Sequence, residues 1–438
     1  MADTLVTGPL SEALEAQKER LLPCVHCGFC LPACPTYNRL GDENDSPRGR
    51  LHLMKAVVEG RLDADSDAFQ LHIDRCLGCR ACEPVCPSGV EYGTLLELAR
   101  ETAGEARPRS RLTRALLFTM ARRPVRAVVF LGGRVLRATG LARLLMGVMP
   151  ASGLGGQLKQ ALAMLIASEV GRPPPGPSSR GSRGLAESTI RDVRVAMLTG
   201  CVQAGLYGRI NGATERTLGA NGYALVSMDG QNCCGALHAH AGDLDGARSL
   251  ARQNIEAFER SGASAVAVNA AGCGASMKDY GTLFEGDPEW SERARLFAAA
   301  VSDVSELLVA AGPRRGAAVD VSIAYDHPCH LVHAQGVRQP PLDVLDAVPG
   351  VDVRIVQNAD ECCGGAGIYA MTHPELGGEI GRDKVEAVRA TGAQLACTPN
   401  AGCMMQIGAG LRLTGDDTGT VHPVELLDES YKRAGYYR

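Results

Sequence analysis

A chain of 438 residues with 45% hydrophobic and 21% charged side chains can build sizeable cores, about three domains at roughly 150 residues each. A formal net charge of -4 and 4% aromatics, with one tryptophan, exclude the basic, stacking-rich surfaces of nucleic-acid readers, so no nucleic-acid partner is expected. Residues 1–20 carry Asp3, Glu12 and Glu15 without the apolar segment of a secretory signal, and no stretch reaches the ~18 apolar residues that span a bilayer, so the expected location is the cytoplasm, where clustered cysteines read as metal or redox ligands.

In chain order, helical character around 50–60 and 68–74 separates two groups of four cysteines within residues 21–100, one compact module. From 107 to 143 there are ten arginines, and no acidic residue occurs between Glu105 and Glu169, while leucines, valines and phenylalanines are interleaved. Pro108, Pro124 and the Gly132-Gly133 pair are expected to break any long helix there. This basic, amphipathic segment is read first as a helical subdomain packing its own apolar face. Contact with an anionic membrane surface, or with an acidic partner, is the alternative. Residues 171–184, GRPPPGPSSRGSRG, describe an extended linker.

Beyond the linker, strand-like runs at 193–198, 223–228 and 263–268 alternate with helical stretches such as 243–260, an α/β layout. The order returns with strands at 319–325, 351–356 and 394–398 and a helix over 376–390. Cys201, Cys233 and Cys273 recur at Cys329, Cys362 and Cys403, offsets of 128, 129 and 130 residues, so the C-terminal half is duplicated. The boundaries are 1–105 for the cysteine module, 106–190 for the basic region and linker, and 191–315 and 316–438 for the two repeats.

Cys24, Cys27, Cys30 and Cys34 form C-x2-C-x2-C-x3-C followed by Pro35, and Cys76, Cys79, Cys82 and Cys86 repeat it before Pro87. A 4Fe-4S cube takes four thiolates; three cysteines at spacing three wrap one cube, and the fourth reaches the other. Cys24, Cys27, Cys30 and Cys86 are therefore assigned to one cube, and Cys76, Cys79, Cys82 and Cys34 to the second. Two zinc sites are the competing reading, but zinc requires neither the third cysteine at that spacing nor the proline. Gly28, Gly78 and Gly89 suit tight reversals around a cube. Asp45 to Arg50, DSPRGR, reads as a turn and a helix start.

Each C-terminal repeat offers four thiols: Cys201, Cys233, Cys234 and Cys273, then Cys329, Cys362, Cys363 and Cys403. They fall at strand ends, where open α/β sheets place ligand sites. Core packing explains one free cysteine but strains for eight in register. His238, His240, His327 and His330 lie beside these motifs, read as hydrogen-bonding neighbours or packing before ligands. Cys397, the leftover thiol, reads as core.

The Cys…CCG…GC pattern resembles the cysteine-rich CCG domains of heterodisulfide reductases and lactate-utilisation proteins, whose motif ends in C-x-x-C. Here Ala270 and Asn400 replace the first cysteine of that pair, leaving a conventional or unusual cluster, zinc or nothing open for each set. The fold class is multidomain α+β: an α-helical ferredoxin module with two 4Fe-4S motifs, then two tandem α/β CCG domains. That combination, with the wording CVHCGFCLPACPTY, LGDENDSPRGR, RCLGCRACEPVCPSGVEYG, NAAGCGASMKDYG and YAMTHPEL, resembles the iron-sulfur subunits of glycolate oxidase. Iron-sulfur subunits of glycerol-3-phosphate or lactate dehydrogenases are the nearest competitors.

The resemblance implies an electron-transfer subunit with no catalytic residue of its own, fed by FAD-containing flavoprotein subunits that oxidise glycolate to glyoxylate and discharging to a quinone or other acceptor. It also fits a location in the cytoplasm or peripheral on the inner face of the membrane. No G-x-G-x-x-G or P-loop motif occurs, so hydride chemistry is expected elsewhere. Two other classes stay open: a disulfide-reducing site in the CCG domains, and a zinc-bearing scaffold that docks the flavoprotein.

Overall fold

Ser46 accepts the Gly49 N–H through its side chain and Pro47 sits in the first turn, so a helix begins where the DSPRGR run ends its turn. In the computed structural model, which describes residues 14, 16–150, 152–169, 171 and 193–437, this is α2 (Pro47–Val58). It is preceded by α1 (Pro35–Leu40) and followed by α3 (Asp67–Asp74) and α4 (Tyr92–Ala106). A Cβ at Gly49 would stand 1.9 Å from the Glu43 carbonyl oxygen, so the turn before α2 closes only over glycine. Met54, Phe69, Ile73, Leu95 and Ala99 fill the core between these helices, and the cysteines lie on the irregular chain wrapped around it.

The basic region forms α5 (Arg111–Ala121), α6 (Arg123–Ala138), α7 (Leu141–Val148) and α8 (Gly153–Ala167). Pro108 precedes α5, and Pro124 sits in the first turn of α6, where its missing N–H costs nothing. The expected break at Gly132-Gly133 does not occur: α6 runs straight through both. A Cβ at Gly133 would lie 3.3 Å from Leu165, so close approach of α8 explains one glycine, while nothing lies near the other. α8 packs on the second repeat, with Ala163 and Met164 buried against Ala370 and Ala409. The linker expected at 171–184 lies, beyond Gly171, outside the described residues; the Gly171 N–H bonds to the Thr420 carbonyl. No helix among the described residues is long and apolar enough to cross a membrane.

The first repeat comprises β1 (Arg194–Met197), α9 (Val202–Leu206), α10 (Gly208–Ala220), β2 (Ala224–Val226), α11 (Ala236–His240), α12 (Leu244–Ser261), β3 (Ala265–Val268), α13 (Ala271–Lys278), α14 (Tyr280–Leu283), α15 (Ser291–Ala300), β4 (Val301–Asp303) and α16 (Val304–Ala311). The second comprises β5 (Val321–Tyr325), α17 (Pro340–Asp346), β6 (Val351–Ile355), α18 (Tyr369–Thr372), α19 (Pro374–Ala390), β7 (Leu395–Cys397), α20 (Ala401–Leu413), β8 (Gly419–Val421) and α21 (Pro423–Ala434). Both sheets are parallel with matching orders, β2-β1-β3-β4 and β6-β5-β7-β8. Ala196 sits between Val226 and Val266, and Ala324 between Arg354 and Ala396. The six expected strands are present. β4 and β8 escape the sequence pattern because three-residue edge strands carry too little periodicity.

The repeats are not separate bodies. Val195, Tyr207 and Ala213 share one buried core with Val321, Tyr325 and Tyr431. α10 and α21 are tied by Arg209–Glu425 at 2.6 Å and Arg216–Asp428 at 2.8 Å. Cys397 lies fully buried in that core.

Candidate iron-sulfur and thiol sites

Cys24, Cys27 and Cys30 sit on the chain before α1, and Cys86 is the last cysteine of the second motif; together they line one pocket, with Cys82 also on its wall. Cys27 is exposed, and Val25 and Phe29 line the same pocket largely in solvent, Phe29 with 66% of its surface, with Leu22 exposed on the segment just before Cys24. Gly28, Gly78 and Gly89 adopt positive φ, as tight reversals require. Cys34, Cys76, Cys79 and Cys82 differ in kind, for all four are buried. Burial pushes the Cys79 and Cys82 thiols up, with Cys34 and Cys76 close enough to add to the shift. Burial acts the same way on Cys76, but the Arg50 and Arg100 guanidiniums, the Tyr92 hydroxyl and the Gly78 N–H bring it below the ordinary thiol range. Tyr92 donates to Cys76 Sγ at 3.5 Å and Gly78 N at 3.4 Å.

Asp42, Asp45 and His72 bring ligand-type atoms within 4.8 Å of one another. Asp45, however, already faces the Arg50 and Arg75 guanidiniums at 3.2 and 3.0 Å, so the group is an ion-pair network and not a cation site.

In the first repeat Cys201 follows β1, Cys233 and Cys234 follow β2, and Cys273 lies in α13 after β3. Cys201 and Cys233 approach to 3.5 Å, Cys234 contacts both Cys233 and Cys273, and the four thiols form one continuous group. Asn254 and Tyr280 pin the backbone by hydrogen bonds to the Cys233 and Cys234 carbonyls, at 3.0 and 2.7 Å. In the second repeat Cys362 contacts Cys329 and Cys363, and Cys363 approaches Cys403 to 3.4 Å. The glycine of each CCG holds the left-handed conformation, φ 87° at Gly235 and 77° at Gly364. A Cβ on Gly364 would lie 2.2 Å from the Gly377 carbonyl oxygen, which is why glycine must follow the paired thiols there.

Surroundings separate the two sets. Asn400, standing where the wider motif has cysteine, donates its amide to Cys403 Sγ at 3.1 Å. Its counterpart Ala270 is buried and offers no donor; Gln203 reaches Cys273 at 4.0 Å instead. His330 places Nδ1 3.5 Å from Cys329 Sγ, a hydrogen-bonding neighbour as expected. His327 packs edge-on to Tyr325, His238 is buried on α11, and His240 pairs with Glu97 at 3.3 Å. Buried Lys384 bonds Asp326 at 2.9 Å beside this set; burial would lower its amine, but the Asp326 carboxylate raises it.

The neighbouring modules differ too. Cys79 packs in one buried cluster with Leu77, Cys329, Cys362, Tyr369 and Ile380, so the second repeat's thiols abut the ferredoxin module. The first repeat's thiols instead adjoin Met120 and Phe130 of α5 and α6, where Arg123, Arg126 and Arg134 line a cleft reaching Cys201. Sequence reasoning missed Arg50, Asp45, Tyr92, Tyr369 and Lys384. All but Lys384 fall within the quoted wording, but their roles come from partners distant in the chain, so no local signal pointed to them.

Residues 20–90 match the 4Fe-4S dicluster domain family, and residues 195–278 and 323–408 match the cysteine-rich domain family. The chain is 36% identical to the probable glycolate oxidase iron-sulfur subunit of Bacillus subtilis, over 95% of this chain and 94% of that one. It is 34% identical to the glycolate oxidase iron-sulfur subunit of Escherichia coli, over 97% of each. Lactate utilization protein A of an Exiguobacterium species is 27% identical over 55% of this chain and 99% of its own length. Among solved structures, a hypothetical protein from Helicobacter pylori shares the fold with a TM-score of 0.53 at 8% identity, covering 98% of this chain and 77% of that one. With one dicluster domain of two four-cysteine motifs, two CCG repeats and full-length relatives above 30% identity, the chain belongs to the glycolate oxidase iron-sulfur subunit family.

Proposed function

We propose that this chain is the electron-relay subunit of a glycolate-oxidising complex, with Cys24, Cys27, Cys30 and Cys86 holding one 4Fe-4S cluster and Cys34, Cys76, Cys79 and Cys82 the other. The observation that supports this reading is that Cys86 lines one pocket with Cys24, Cys27 and Cys30, while Cys34 lies close to Cys76, Cys79 and Cys82 and the second repeat's thiols pack against Cys79. Such clusters supply one-electron carriage at potentials tuned by net charge, hydrogen bonds to sulfur and solvent exposure. This chain's residues set those conditions: a partly exposed first set flanked by Val25 and Phe29, and a buried second set served by Tyr92 and Gly78.

The exposed surface around Cys27 is the docking face for an FAD-containing partner that oxidises glycolate to glyoxylate, and a quinone or comparable acceptor takes the electrons. The CCG thiol sets are further metal sites, iron-sulfur or zinc. The location is cytoplasmic, with α5–α7 resting on the inner membrane face: Val128 exposes 71% of its surface amid arginines, and Leu131, Val135, Leu144 and Val148 are exposed with it.

Cys27→Ser should cut quinone reduction by the assembled complex at least about tenfold while glycolate still reduces the partner's flavin. Unchanged quinone reduction sinks the reading. Iron and zinc measured on anaerobically purified protein decide the CCG sets: about eight irons means clusters at the N-terminal motifs alone, and more means clusters beyond them.

A further inference from the structure

Arg50 is the largest fully buried side chain among the described residues, with 0% exposure, and it lies against the second thiol set. Its Nη1 reaches Cys34 Sγ at 3.9 Å, Nη2 bonds Thr36 Oγ1 at 3.1 Å and Asp45 Oδ1 at 3.2 Å, and Nε bonds the His72 carbonyl at 2.6 Å. Thr36 in turn contacts Cys34 Sγ at 3.2 Å. A guanidinium stays charged in proteins, and a charge so deeply buried is costly unless the surroundings use it. Asp45 offsets it only in part, because Arg75 and His72 also claim that carboxylate, at 3.0 and 3.1 Å. Among the described residues the one guanidinium lining the first set's pocket is that of Arg48, which is bonded to the His26 carbonyl and to Glu43 and keeps 30% of its side chain in solvent, so no cation sealed from solvent stands there as Arg50 does.

We propose that Arg50 and Asp45 form a buried charge pair that sets the reduction potential of the centre held by Cys34, Cys76, Cys79 and Cys82. This rests on those thiols holding a 4Fe-4S cluster. One-electron reduction adds a negative charge to such a centre, so Arg50 favours the reduced state and Asp45 opposes it. Both are positioning residues. They act through charge and through the Thr36–Cys34 contact, and neither is a ligand. The local dielectric is low, so each charge acts strongly, and because the two have opposite signs their removal has opposite effects.

The test is a dithionite titration of the purified, iron-loaded chain at controlled ambient potential, followed by electron paramagnetic resonance, on wild type, Arg50→Gln, Arg50→Lys, Asp45→Asn and the Arg50→Gln/Asp45→Asn double variant. At fixed potential, Arg50→Gln should lower the reduced-to-oxidised ratio of one centre about tenfold, a shift of about 59 mV for one electron, and leave the other centre unmoved. Asp45→Asn should move the same centre the other way, the double variant should return towards wild type, and Arg50→Lys should restore most of the ratio. Iron content checks each sample. If Arg50→Gln loses iron, Asp45→Asn alone still carries the test. Unmoved ratios in iron-loaded variants, or shifts of one sign for both charges, overturn the charge-pair role. Wild type lacking two cluster signals overturns the ligand assignment instead.

Discussion

The two CCG repeats have the same strand order, the same four thiols and the same helix start after the fourth strand, yet they face different neighbours. The second repeat presents Cys329 and Cys362 to Cys79, with Asn400 and His330 bonded to its thiols and Lys384 buried beside them. The first presents its set to α5, α6 and an arginine-lined cleft, with alanine where Asn400 stands. Duplication thus supplied two equal frames, and docking gave them unequal surroundings. One frame continues the line of thiols out of the ferredoxin module, and the other turns towards the basic helices.

The strongest way to break this comparison is to remove one thiol from each frame. Cys363→Ser and Cys234→Ser should each lower metal content by the amount held at the altered set. Only Cys363→Ser should also change the magnetic relaxation of the centre that includes Cys79, read by power saturation of its resonance. Identical spectra for the two variants would erase the asymmetry. Next in size is Ile380→Asp, which places an unpaired carboxylate in the buried contact between the second repeat and the ferredoxin module. A loss of about 3 kcal/mol in denaturant unfolding is expected. A loss under about 1 kcal/mol would mean the contact is loose.

The smallest test exploits the matching caps. Asp303 caps α16 and His422 caps α21, each with a capping box, and both are buried. Burial pushes the Asp303 carboxyl up to about 6 and the His422 imidazole down to about 3, the bond it makes towards Asn269 opposing this only weakly. For His422 the unfolded chain holds more protons below about 6.5, so its contribution is lost as pH falls; the stability advantage of His422→Gln over wild type should grow by about 2 kcal/mol from pH 6.5 to 5. For Asp303 the folded chain holds more protons between about 4 and 6, so its contribution is lost as pH rises. The advantage of Asp303→Asn should therefore grow by about 1 kcal/mol from pH 5 to 6. Urea unfolding of both variants against wild type reads the opposite slopes, and parallel slopes would contradict the burial of one cap.

Much of the fold was legible because its signals are local. The C-x2-C-x2-C-x3-C spacing, the Ser46-Pro47 helix start and the apolar runs that became β1 to β3 and β5 to β7 each span a few residues. The three-residue strands β4 and β8 were not legible, nor was the unbroken passage of α6 through Gly132-Gly133, which depends on Leu165 of another helix. At the sites, thiol identity could be read and thiol surroundings could not. Arg50 read as one arginine in a helix start, and its weight comes from Thr36, Asp45 and the His72 carbonyl closing around it.

By itself the amino-acid sequence determined the number and spacing of the thiols, the duplication and the six expected strands, because spacing along a chain dictates which neighbours one turn or one strand can bring together. Only the tertiary structure decided that Cys79 meets Cys329 and Cys362, that the first repeat faces α6 instead, and that Arg50 and Asp45 are sealed beside Cys34. Those choices come from packing of large apolar faces between segments far apart in the chain. Such packing leaves no local period to read, yet it sets burial, and burial sets what each charge and thiol is worth.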